Sequence, residues 1–115
     1  MENHDLETIE LSIEHAKKAI ALKTSVERLT RNRDFKAVFT EGYFEKEAQR
    51  LVFLKADPSM QDEADQKEII KQIDAIGVLR QYLSTQMHLG RMAEKALEED
   101  ERTREELLAE EGAAE

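Results

Sequence analysis

The side chains that could do chemistry at neutral pH are few in kind. The histidines are His4, His15 and His88. A helical metal pair needs two of them four residues apart with a carboxylate beside them, as in HExxH. No two share such spacing, and Glu14 next to His15 points to a different face. Carboxylates are abundant, so pairs on one helix face arise by number alone: Glu10 with Glu14, Glu41 with Glu45, Glu94 with Glu98. Two acids divide acid and base roles only in a cleft that moves their pKa values apart, and these pairs fall on polar faces. The four glycines, Gly42, Gly77, Gly90 and Gly112, are too scattered for a phosphate-binding loop. There is no serine nucleophile motif. The expectation is no catalytic residue, no metal and no cofactor.

Binding is better represented. Arg28, Arg31, Arg33 and Lys36 form the one basic cluster, with Phe35 beside it. Such a cluster can hold nucleic-acid phosphate or an acidic protein surface. The plainer reading is helix-end charge, because cations favour the exposed carbonyls of a helix C-terminus. A third reading is contact with the acidic tail of a neighbouring copy, which salt would weaken. Met60, Met87 and Met92 could line an adaptable groove, although core packing explains them more simply. The candidate partner-contact residues are therefore Arg28, Arg31, Arg33, Lys36, Met87 and Met92.

These residues must be positioned by helices. Glu, Lys, Ala, Leu and Gln dominate the 115 residues, aromatic residues are 5%, and there is a single proline. Leu6, Ile9, Ile13, Ala16 and Ile20, then Leu22, Val26 and Leu29, recur at steps of three and four and predict a helix over 5–31. Asn32-Arg33-Asp34 is the first break. Asn32 is expected in the left-handed conformation, with Asp34 capping the next helix. A second helix follows over 35–55. Its broad apolar face contains Phe35, Val38, Phe39, Tyr43, Phe44, Ala48, Leu51, Val52 and Leu54, and marks it as the centre of the core. Pro58 disfavours helix at Asp57, and Ser59 is the expected cap of the third helix. That helix is predicted from Met60 to about Leu108, on the stripe Ile69, Ile73, Ile76, Leu79, Leu83 and Met87, followed by Met92, Ala96 and Leu97, with Gly77 and Gly90 as interruptions and Gly112 as a stop.

Charge divides the chain. The net charge is −9, and residues 94–115 hold ten acids against three basic residues. The organisation read from this is a helical bundle over 1–97 and an acidic C-terminal extension over 98–115, helical or frayed. Cysteine is absent, which excludes disulfides, thiolate metal sites and a cysteine nucleophile. No apolar run reaches the roughly 20 residues that cross a bilayer, and residues 1–5 lack the order of a signal peptide. The expectation is a soluble protein with no membrane partner.

A third helix of about 45 residues would span nearly 70 Å, whereas a compact chain of this length has a radius of gyration near 13 Å. Such a helix bends at a glycine or projects an apolar stripe that needs a partner. The fold class is accordingly all-α: an elongated helical bundle of three helices with a long C-terminal helix. A homo-oligomer or a docked larger partner is expected rather than nucleic acid.

The segments Asp34-Phe35-Lys36-Ala37-Val38-Phe39, Gly42-Tyr43-Phe44 through Val52, Ala56-Asp57-Pro58-Ser59 and Ile73 through Leu83 together resemble small acidic helical proteins of tailed bacteriophages. The resemblance covers roughly residues 30–85. It implies a component of the virion or its head-assembly apparatus, found in the virion or in the host cytoplasm during assembly. The partner it implies is another copy or another phage structural protein, such as a head or neck protein. A small phage-encoded binder that inhibits a host or defence protein is the alternative. The resemblance carries no site residues.

Overall fold

The computed structural model describes residues 2–114, with side chains from 5 to 113. The chain is all-α, and no strand occurs among the described residues. Helix α1 is Glu2–Arg31. Helix α2 covers 33–56 and changes character along its length: Arg33–Phe35 is α-helical, Lys36–Glu47 is π-helical and Ala48–Ala56 is α-helical again. A 3-10 turn at Pro58–Met60 leads to α3, Glu63–Ala114. At 52 residues, α3 is about 78 Å long.

The breaks fall where the sequence places them, but different residues close them. Asn32 is extended (φ −65°, ψ 133°) rather than left-handed. Its side-chain oxygen accepts from the Asp34 and Phe35 amides at 2.9 and 3.0 Å, so Asn32 is itself the cap and Asp34 is not. At the second break Asp57 is extended before Pro58, as proline requires. Its carboxylate accepts from both the amide and the hydroxyl of Ser59, each at 2.8 Å. Asp57 thus caps the 3-10 turn, and Ser59 lies inside that turn instead of capping α3, which begins at Glu63. The orphaned carbonyl of Lys55 accepts from the Gln61 and Gln66 side-chain amides at 3.0 and 2.9 Å. Gly77, Gly90 and Gly112 lie within α3, which runs past Gly112 instead of stopping there.

The π-helical segment has a reason in spacing. Phe35, Phe39, Phe44 and Ala48 recur at steps of four and five. An α-helix would scatter them, whereas a helix bonded from i to i+5 brings them to one side. Phe35 stacks on Phe39 with ring centres 5.1 Å apart, and Phe39 meets Phe44 at 6.4 Å and Tyr43 edge-on at 6.2 Å. A Cβ on Gly42 would lie 2.9 Å from the Ala37 carbonyl oxygen, the acceptor five residues back. Glycine fits this wider turn where a larger residue would crowd it.

The chain forms two compact units. One comprises residues 1–26 and 86–115, the other residues 27–85. In the second unit Leu51 of α2 is 1% exposed and packs with Ile69 and Ile76 of α3. Tyr43, Phe44, Ala48, Leu54, Met60 and Ile73 surround this nucleus. Burying a leucine of this kind stabilises by about 2 kcal/mol. Val38 and Val52, expected on the buried face, are exposed. The π turn rotates Val38 away from the aromatic row.

In the first unit, α1 and the end of α3 run antiparallel. Ser12 Oγ donates to Asp100 at 2.6 Å, and Lys23 Nζ meets Glu94 at 2.7 Å. Farther along, Asp5 and Ile9 share a surface pocket with Thr103 and Leu107. Ile13, Ala16 and Val26 are buried, and Leu6, Ile9, Ile20 and Lys23 are half-buried. The alternation of threes and fours from Leu6 to Lys23 is the seam of a coiled-coil-like pair. At its crossing point Gly90 lies against the Lys23 stem, where a Cβ would come within 2.2 Å of Lys23 Cβ. The lysine buries its methylenes over the glycine and carries its ammonium out to Glu94.

Candidate interaction site

No three or more histidine, cysteine, aspartate or glutamate side chains converge for a metal among the described residues. His15 and His88 are exposed on α1 and α3, and the side chain of His4 lies outside the described residues. No described helix is long and apolar enough to cross a membrane. What the helices do offer is surface for other macromolecules, of three kinds.

The basic cluster is partly assembled. Arg31 from the end of α1, with Arg33 and Lys36 from the start of α2, lines a depression that also includes Ala37 and Glu41. Arg28 is exposed on α1 but is not part of that depression. Arg28 and Arg31 both occupy the last turn of α1, where cations meet the free carbonyls of the helix end. The depression presents three cations and one carboxylate, which suits a carboxylate-bearing partner surface.

The second surface is the flank of α2. Phe44, Glu45, Ala48, Gln49, Val52 and Phe53 outline a shallow apolar furrow along the helix. Phe53 is 74% exposed, the most exposed of the large apolar side chains there. A fork between Glu47 and Arg50 lies beside it: Arg50 Nε donates to one carboxylate oxygen and Nη2 to the other. The hydrogen bond from Arg50 holds the Glu47 carboxyl below its ordinary value and raises Arg50. Both groups are fully charged at neutral pH and mark the polar edge of the furrow.

The third surface is on α3. Its inward stripe includes Ile69, Ile73, Ile76, Leu83, Met87 and Gly90. A second stripe, well round the helix from the first, consists of Ala75, Val78, Tyr82, Thr85, Leu89, Met92 and Ala96. All seven residues are exposed, with Val78 at 65% and Tyr82 and Met92 at 54%. The steps alternate between three and four, the repeat of a helix-pairing seam. No charge interrupts it from Ala75 to Ala96. By contrast, Leu11, Leu22 and Leu29 on the outside of α1 are separated along their own row by His15, Lys18 and Ser25.

Of the sequence-derived contact residues, Arg31, Arg33 and Lys36 come together and Arg28 stands apart. Met87 and Met92 separate: Met87 is half-buried on the inner stripe, and Met92 is exposed on the outer one. Sequence reasoning took Met92 and Ala96 as the continuation of the inner stripe, whereas both are exposed and belong to the outer one, whose heptad spacing is legible once the inner stripe is subtracted. It also missed the Phe53 furrow, because Phe53 lies in the same aromatic-rich segment as the core residues of α2. A scan of protein-family models, a search of curated proteins and a search of solved structures gave no match to this chain.

Proposed function

We propose that this chain is a structural or assembly protein of a tailed-phage particle, acting by docking its exposed helix faces onto its own copies or onto a head or neck protein. The observation that carries the docking part is the uncharged outer stripe of α3, seven exposed residues at helix-pairing spacing. Contiguous exposed apolar surface of this kind marks an interaction site on a protein that must stay in solution. The phage part is supported by the sequence resemblance over residues 30–85. Its place of action is then the virion, or the host cytoplasm during assembly. The role involves no chemical reaction, and the basic depression at Arg31, Arg33 and Lys36 is a secondary contact for acidic surface.

Stoichiometry tests this reading. Quantitative mass spectrometry of purified particles from an infected culture is expected to find the chain in many copies per particle, or in many copies per head precursor if it leaves on maturation. If the chain is missing from both particles and precursors and is recovered instead with a single host protein, the assembly role is wrong. The inhibitory-binder reading would then replace it.

A further inference from the structure

The outer stripe of α3 has an order of charges that identifies its partner. Seven uncharged residues from Ala75 to Ala96 are centred on Thr85 and Gln86. Continuing the same row, the next position before Ala75 is Lys71 and the next after Ala96 is Glu99. The row flanking the stripe begins with Asp74 and ends with Lys95, with Gln81 and His88 between them. All four charged residues are exposed. Lys71 and Glu99 are thus opposite in sign and lie fourteen residues either side of Thr85. Asp74 and Lys95 repeat the arrangement on the flank with the signs reversed.

A surface with this symmetry is complementary to itself when turned end for end. We propose that two copies of the chain pair antiparallel through the outer stripe of α3, about a two-fold axis near Thr85. Lys71 of each copy then comes beside Glu99 of the other, and Asp74 beside Lys95, giving four attractive juxtapositions per dimer. A parallel pair in register would instead set Lys71 on Lys71 and Glu99 on Glu99 within the seam, and like charges across a helix pair are repulsive. Val78, Tyr82, Leu89 and Met92 supply the apolar middle, while Ala75 and Ala96 allow close approach near the ends. The inference rests on the docking reading given above and names the second copy as the occupant of this face.

The absence of cysteine in the full chain makes the test direct. Ala75→Cys and Ala96→Cys are prepared singly and treated with a short bis-maleimide, alone and mixed. The antiparallel pair predicts a cross-linked product from the mixture and none from either variant alone, because two copies of position 75 are then about 30 Å apart. Cross-linking of each variant with itself would overturn the geometry. Sedimentation is expected to show the mass rising from one copy to two with concentration, and a single-copy mass throughout would overturn the proposal.

Charge exchange provides a second reading on exposed residues whose replacement leaves the fold intact, as circular dichroism checks. Asp74→Lys and Lys95→Asp are each expected to weaken pairing roughly three- to tenfold at low salt. The double variant restores it, and the differences vanish at high salt. Failure of the double variant to recover would refute the juxtaposition. Particle stoichiometry is unaffected by any of these outcomes, so failure of the dimer and failure of the assembly role are told apart.

Discussion

The two units are built from the same long helices on different terms. The unit of residues 27–85 holds ten basic against eleven acidic residues and all six aromatic side chains. It is organised around Leu51, Ile69 and Ile76. The unit of residues 1–26 and 86–115 holds seven basic against fifteen acidic residues and no aromatic side chain. There Ile13, Ala16 and Val26 are the buried apolar residues, and the polar links Ser12–Asp100 and Lys23–Glu94 join the helices. Large side chains can fill space between helices held apart, whereas small ones require the backbones to approach. The first strategy gives an anchored core. The second leaves stability dependent on one close crossing and on charges that repel along its length.

The largest expected effect lies in the aromatic-rich unit. Ile76→Asp places an unpaired charge beside Leu51 and Ile69, at a cost of several kcal/mol. Amide exchange is expected to show protection lost first over α2 and the adjoining part of α3. Retained protection there would mean that Ile76 does not face the core.

Glycine-to-alanine changes sharpen the contrast, because the same substitution should have opposite signs in the two units. At Gly90 the new methyl meets Lys23 Cβ, which belongs to the facing helix and has no room to retreat. The helices must part, at about 1–3 kcal/mol beyond the helical gain. At Gly77 nothing lies within 4 Å, so alanine is expected to stabilise by up to about 1 kcal/mol. Thermal unfolding of both variants checks this, and a stabilising Gly90→Ala would contradict the close crossing.

The smallest effect concerns the turn before α3. The amide and hydroxyl of Ser59 hold the Asp57 carboxyl below its ordinary value. A lowered folded pKa means stabilisation that is complete above the unfolded aspartate value and is lost as pH falls through the folded one. Asp57→Asn keeps an acceptor for the cap but cannot titrate. The original chain should therefore lose stability relative to this variant on acidification and not between neutral pH and mild acid. Parallel curves down to strong acid would remove Asp57 as the source of that pH dependence.

Much of this was open to reading before any coordinates. Steps of three and four located α1 and the inner stripe of α3, Pro58 located the second break, and the burial of Ile76 follows from the same stripe. Capping was harder, since Asn32 and Asp34, or Asp57 and Ser59, are residue types that can all cap and stand only two positions apart. Backbone geometry chose between them. The π turn was legible only in the four-and-five spacing of Phe35, Phe39, Phe44 and Ala48, which an expectation of period 3.6 conceals.

The amino-acid order determined helix, break and stripe, because periodicity and proline act over a few residues. Tertiary structure decided which stripe is covered. Ile69 and Val78 lie on different faces of one helix and have similar apolar character, yet only Ile69 finds Leu51 across from it. Whether a face is core or surface depends on what the rest of the chain brings to it, and no local pattern carries that information.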